Sequence, residues 1–400
     1  KTGINAVLLM PSYEFEEYAF NFNYWGYGKG FYFLPKAAYS SCYGSCVDYT
    51  VEFKDMVKKF HKNGMEVYME FNFTDEVDAC MADDCIRYWK ESYHIDGARV
   101  ICNDRIRQVI ADDPYLVDIK LFYEYWNDNF RNHNLLEYND GFENVARKLL
   151  KGDEGQLKYF SECFKKNPVH SYTVNFVCDN NGFTLYDLVS YDRKHNEENG
   201  ENNRDGKDYN NSWNCGEEGD TKNRKILVQR LRNRKNAMCF VLLSQGIPMI
   251  YAGDEFGNSQ NGNNNAYCQD NETGWLDWSA LRKNRKFYNF ICTLINFRHN
   301  HKVLHIEKEL VQSDYKYFGL PDISYHGSKA WYPEMEHYNR HLGILLCGRY
   351  AEENEDIYIG MNLHWEKHIL ALPKIPGKTW EVIINTNDNE GVFFKFIRWH

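Results

Sequence analysis

The chain contains no run of eighteen or more apolar residues, which excludes an ordinary transmembrane helix. Its first residues also lack the basic, apolar and small-residue order of an export signal. The sequence opens at Lys1 inside a strand-like run, as a piece of a longer protein would. Basic residues are in short supply, 47 Lys and Arg against 57 Asp and Glu, for a net charge of -10. That shortage argues against a nucleic-acid partner, whose phosphates are neutralised by Lys and Arg. No GxGxxG follows a strand-like run, so the usual sign of a dinucleotide cofactor is missing. The twelve cysteines are scattered, and only Cys42/Cys46 and Cys80/Cys85 stand close together, neither pair in a zinc pattern. We expect no metal and no cofactor, and reduced thiols in a cytoplasmic protein.

What is present is enough apolar material for more than one core: 400 residues, 43% of them hydrophobic. The 30 Tyr, 25 Phe and 10 Trp belong mostly in such cores, although aromatic faces also stack on sugar rings.

Short apolar runs alternate with amphipathic segments. Residues 3–10, ended by Pro11, form a buried-strand pattern. Phe53, Met56, Val57 and Phe60 then mark one face of a helix that Asn63 and Gly64 can terminate. Further strands are predicted over 65–73, 94–101, 119–123, 174–178 and 247–252, with helices over 79–91 and 224–244. Repeated βα units predict a parallel sheet with right-handed crossovers. Their number fits a (β/α)8 TIM barrel, and periodicity alone allows an open doubly wound sheet as well. After a helix near 281–298 the pattern becomes short β-rich runs at 343–347, 356–361, 369–372 and 380–384, separated by Pro, Gly and Asn. That predicts a C-terminal antiparallel β-sandwich, with domains over 1–305 and 306–400.

Two stretches carry the most information. Residues 176–219 read FVCDNNGFTLYDLVSYDRKHNEENGENNRDGKDYNNSWNCGEEG, an apolar strand feeding a long polar loop rich in turn formers. Residues 261–278 read NGNNNAYCQDNETGWLDW. With NYWGY at 23–27, FYFLP at 31–35 and the opening GINAVLLMP, they closely resemble the signature regions of isoamylase-type glycogen and starch debranching enzymes, in the α-amylase superfamily of glycoside hydrolases. The resemblance covers nearly the whole chain. It implies a (β/α)8 barrel whose first strand lies before residue 3, followed by a β-sandwich cut short near His400.

It also implies a site. The family's retaining mechanism uses three carboxylates at the ends of strands four, five and seven: a nucleophile, an acid/base roughly 5 Å from it, and a charge-stabilising Asp. Here the strand-four motif HIDGARVI keeps Arg99 but puts Ile101 at the nucleophile position. KLFYEYW puts Glu124 at the acid/base position. Asn180 and Asn181 stand where the family has His and Asp, and Asn72-Phe73 where it has Asn-His. The resemblance makes Trp25, Tyr27, Asn72, Phe73, Trp126, Asn180 and Asn181 candidate sugar contacts, with Glu124 and Arg99 the remaining catalytic candidates. The implied protein binds branched α-glucan (glycogen, amylopectin, maltodextrin) with hydrolysis lost or impaired. One alternative is an active α-1,6-glucan debranching enzyme with relocated carboxylates, Asp104 or Asp179. Another is a non-catalytic structural or partner subunit, working beside an active homologue. In its plainer reading, Arg99 pairs with Glu124 or Asp96, and Asp254 and Glu255 are structural.

Overall fold

The computed structural model describes residues 2–18, 22–41, 44, 48–126, 134–168 and 171–387, and residues 395–398 by their backbone. Cys42 and Cys46 lie outside the described residues. Seven strands form one parallel sheet whose order is the chain order. They are β1 (Ala6–Leu9), β2 (Glu66–Asn72), β3 (Gly97–Ile101), β4 (Lys120–Tyr123), β5 (Leu135–Tyr138), β6 (Tyr172–Asn175) and β7 (Ile247–Pro248). Phe122, Leu136, Tyr138, Val174 and Phe176 pack together with Leu8, Tyr68, Tyr172 and Met249. Leu8 of β1 and Met249, just past β7, pack on one inner cluster, as they do when the sheet curls on itself in a TIM barrel. The expected barrel is therefore present with seven strands.

The helices lie outside this sheet and begin where the sequence supplies caps. α1 (Tyr49–Lys62), α2 (Ala79–Tyr93), α3 (Asp104–Asp112), α4 (Asp140–Lys151), α5 (Leu157–Lys165), α6 (Arg224–Leu243) and α7 (Arg285–Asn300) follow in chain order. Asp48, Asp78, Asn103, Asn139 and Asn223 each accept a backbone N–H of the first turn of α1, α2, α3, α4 and α6. The outer faces of β2 to β4 bury Met69, Phe71, Val100 and Leu121 against Ile86 and Trp89 of α2.

Several boundaries differ from expectation for local reasons. The strand predicted from residue 94 starts at Gly97, because His94 closes α2 in a left-handed conformation at φ 55°. The strand predicted over 174–178 spans 172–175 instead. Its neighbour β7 offers only Ile247 and Pro248 to pair with, so the chain leaves the sheet after Asn175. β5 and helices α3, α4 and α5 carry too short or too mixed a pattern to stand out in the sequence.

The carboxy-terminal unit is antiparallel, as expected. β8 (Ile323–His326), β9 (His341–Leu346), β10 (Ile357–Asn362), β11 (Glu381–Val382) and β12 (Lys395–Arg398) form one five-stranded sheet in the order β8-β9-β10-β12-β11. The run predicted over 369–372 does not pair as a strand; Ala371 instead donates its N–H to Gly327 and accepts from the Tyr358 hydroxyl. Leu342, Ile344, Leu346, Ile357 and Ile359 share a continuous core with Phe160, Phe240 and Leu294 of the barrel helices. Among the described residues no helix is long and apolar enough to cross a membrane.

Candidate functional site

Inward-facing residues of neighbouring strands bring two opposite charges together inside the barrel. Glu70 of β2 and Arg99 of β3 are register partners, and Arg99 Nη1 donates to Glu70 Oε2 at 2.8 Å. Glu70 is 2% exposed, and the guanidinium sits 4.3 Å over the ring of Tyr138 from β5. Burial alone would lower the Arg99 pKa, but the adjacent Glu70 more than reverses this and the guanidinium stays charged. The pairing with Glu124 or Asp96 foreseen from sequence is not the one formed. Asp96 precedes β3, at the other end of that strand, and accepts from His61 Nε2 at 2.8 Å and Val67 N at 2.7 Å. Glu70 was legible in principle: it is a carboxylate inside an otherwise apolar strand, in step with an arginine one strand away.

The NYWGY loop reaches the same place. Asn180 Nδ2 donates to the Tyr27 hydroxyl at 2.9 Å, and Trp25 meets Tyr27 edge-on with ring centroids 6.2 Å apart. Burial first, then the charge of Glu70, raises the Tyr27 pKa, so the phenol remains a neutral donor. The loop is anchored by Tyr24 N donating to the carbonyl of Tyr267 at 2.8 Å, which ties it to the NGNNNAYCQ segment. Asn181 is exposed, and its N–H is held at 3.0 Å by Asp179 Oδ1 in a turn that presents both amides. Glu70, Arg99, Tyr27 and Asn180 thus form one polar patch.

Other candidates are placed differently. Ile101 is the last residue of β3, half-buried, with its carbonyl accepting from Phe73 N at 2.9 Å. Glu124 follows β4 and is exposed. Phe73 and Trp126, at 3% and 4% exposure, are packed among core residues. Phe73 lies against Tyr32 and Phe71, and Trp126 donates its Nε1–H to the carbonyl of Leu136 at 2.9 Å. Asn72 has its backbone held by the Tyr13 and Tyr32 hydroxyls. Asp104 opens α3 and pairs with Arg107 at 3.1 Å. Sequence reasoning missed Asp140, the first residue of α4. Its carboxyl pKa is raised by burial, then by Asp179 and Glu124, while Lys207 and Arg99 pull it back. Asp140 follows β5, as Glu124 follows β4 and Asp179 follows β6, each just past the carboxy-terminal end of its strand.

Two motif loops are locked together around this face. Asn196 Nδ2 donates to Asn264 Oδ1 at 2.9 Å and Asn264 N returns a bond to Asn196 Oδ1 at 3.0 Å. Asn263 and Gln269 both donate to Asn199 Oδ1 at 2.8 Å. Asp187, fully buried, accepts from Ser259 Oγ at 2.6 Å and Gln260 N at 2.8 Å; burial pushes its pKa up to about 6 against these bonds. Asp254 accepts from Leu185 N at 2.7 Å and is pushed up to about 8, chiefly by burial. Its role is structural, as expected. Amide-rich motifs here build backbone scaffolding, which explains their density of Asn.

A parallel barrel with its polar face at the strand ends, followed by an antiparallel sheet, is the architecture of the α-amylase superfamily of glycoside hydrolases. A pullulanase mutant from Paenibacillus barengoltzii, complexed with maltotetraose, superposes with a TM-score of 0.70 and 16% identity, over all of this chain and 69% of that one. Isoamylase 1 of Arabidopsis thaliana, chloroplastic, is 30% identical over 96% of this chain and 61% of its own length. The glycogen operon protein GlgX homolog of Mycobacterium tuberculosis is 33% identical over 75% of this chain and 53% of its own length. No family model matches the chain. The chain belongs to the isoamylase-type family of glycogen and starch debranching proteins. It spans less than two thirds of the length of these two relatives. The aligned stretch with the Arabidopsis protein is 503 residues, longer than the 400 here, so the relative carries segments this chain lacks.

Proposed function

We propose that this chain binds branched α-glucan without hydrolysing it by the retaining mechanism of its family. The observation that carries this is the substitution of two of the three carboxylate positions, by Ile101 and Asn181, beside a preserved Arg99 frame. Hydrolysis of an acetal needs a proton for the leaving oxygen and a nucleophile on the opposite face of the sugar. Glu124 can supply the proton. A hydrocarbon at 101 cannot trap the oxocarbenium-like centre, and the amide of Asn181 lacks the charge that would stabilise it. Binding survives such losses, because Trp25, Tyr27, Asn180 and Asn181 still offer ring faces and hydroxyl-matching amides. The maltotetraose complex of the related pullulanase supports α-glucan as the ligand class.

In this reading residues 1–305 are the barrel unit and 306–400 the β unit, in a cytoplasmic protein that serves an active debranching homologue as partner. Affinity electrophoresis in glycogen or amylopectin gels tests the binding: retardation is expected, and its absence removes the binding half of the proposal. A second reading is hydrolysis by relocated carboxylates, for which Asp140, Asp179 and Glu124, each following the end of its strand, are the candidates. Reducing-end assays on wild type and Glu124→Gln distinguish the two.

A further inference from the structure

The turn that follows β10 gathers groups that the glucan site does not use. Asn362 closes this turn: its Oδ1 accepts from His364 N at 3.0 Å and its Nδ2 donates to the Glu366 carbonyl at 2.8 Å. The closure sends His364, Glu366 and His368 toward one point, with one ligand atom from each within 4.8 Å of the others. We propose that His364, Glu366 and His368 bind a divalent transition-metal ion of the zinc class, backed by His341.

Two imidazoles and a carboxylate are a donor set suited to zinc, nickel or copper rather than to magnesium or calcium, which take oxygen ligands. Around a tetrahedral ion with bonds of about 2 Å, ligand atoms lie roughly 3.3 Å apart, so binding draws these three together by about an ångström or more. Glu366 is exposed and the turn is held by few bonds, which leaves room for that movement. His364 Nδ1 accepts the Glu366 N–H at 3.0 Å, which fixes the ring and leaves Nε2 as the nitrogen for the ion.

The independent observation lies one strand away. His341 of β9 is 4% exposed and stacks on His368, with centroids 4.3 Å apart and planes 13° from parallel. Its Nε2 lies 3.0 Å from Glu334 Oε2, and Glu334 is held ionised, down to about 2, by bonds from Ser328 and His341. The His341 Nδ1 is buried with no hydrogen-bond partner among the described residues. A buried ring nitrogen without a partner costs stability. The nearby cation Arg340 is not that partner: it lies over the Trp365 ring at 5.0 Å and pairs with Glu154 at 3.1 Å. An ion here would clip the 363–368 turn to the sheet, a structural rather than catalytic task.

The test is isothermal titration of the whole chain with NiCl2, followed by competition with ZnCl2, and thermal melting with and without the ion. Nickel comes first because cysteine thiolates elsewhere compete for zinc. The expected result is one ion per chain and a raised melting temperature. His364→Ala with His368→Ala removes both effects. Either of two results overturns the proposal: wild type takes up no nickel, or the double variant, shown by circular dichroism to be folded, binds with unchanged affinity. The single variants Glu366→Gln and His364→Ala alter exposed or half-exposed positions, so they keep the test open if the double variant fails to fold; unchanged affinity in both would also overturn it.

Discussion

At the scale of the residue, the account turns on how a charged frame persists where the reacting groups have changed. Glu70 and Arg99 neutralise each other inside the barrel, and removing either partner strands the other. Glu70→Gln is expected to destabilise the fold by about 3–5 kcal/mol in urea unfolding. Glu70→Met combined with Arg99→Met should cost far less, because no uncompensated charge remains. A second prediction concerns Asp254, whose folded pKa is raised to about 8 by burial. With an unfolded value of about 3.9, its protonated form favours folding below that pH, and this contribution is lost as pH rises through 8. Asp254→Asn should therefore gain on wild type by about 1.4 kcal/mol per pH unit between roughly pH 4 and 8. Equal pH profiles for the two proteins would show that Asp254 is not the buried acid described. Arg99, Glu124, Ile101 and Asn181 were legible because motifs fix their positions in the chain. Asp140 was not, and Glu70 only as a carboxylate out of place in an apolar run: the importance of both comes from neighbours on other strands, which a single sequence does not display. The burial of Phe73 and Trp126 was not legible, because a motif gives position along a strand but not which way a particular ring turns.

At the scale of the element, the barrel face depends on a polar loop over 189–219 that has almost no regular structure of its own. Arg230 of α6, 2% exposed, holds it from below by donating to the carbonyls of Gly219, Asn214 and Glu217. Leaving three buried carbonyls without a donor costs at least about 2 kcal/mol. Arg230→Met is therefore expected to lower stability by that amount and to bring new proteolytic cleavage and faster amide exchange within 189–219. Unchanged protection of that loop would mean the asparagine network with 258–269 holds it unaided. Long elements were readable in advance: α1 and α2 fall where apolar spacing and caps place them, and α6 and α7 where long apolar-rich runs do. β5, only four residues long, was not, because its place in the sheet comes from β4 and β6 on either side. The end of β6 depended on the length of β7, a tertiary fact with no local signal.

At the scale of the whole molecule, the proposal separates scaffold from chemistry. The barrel, its locked loops and the shared core with the carboxy-terminal sheet are built as in a working glycoside hydrolase, and the changes collect at the strand ends. Restoring carboxylates at the two substituted positions is therefore a direct reconstruction. Ile101→Asp with Asn181→Asp is expected to give measurable reducing-end release from a branched glucan, and either change alone very little, because residues of one catalytic unit are strongly non-additive. Phe73→His is expected to be costly in this background, since it places an imidazole in the Tyr32–Phe71 aromatic stack.

The most direct test of the central claim is the release of reducing ends from glycogen and amylopectin by the unaltered chain, measured beside Glu124→Gln in the concentration range where gel retardation shows binding. The account predicts retardation by the glucan and no release above the Glu124→Gln control. Release by the unaltered chain that Glu124→Gln abolishes would contradict it, and would assign the missing nucleophile to Asp140 or Asp179.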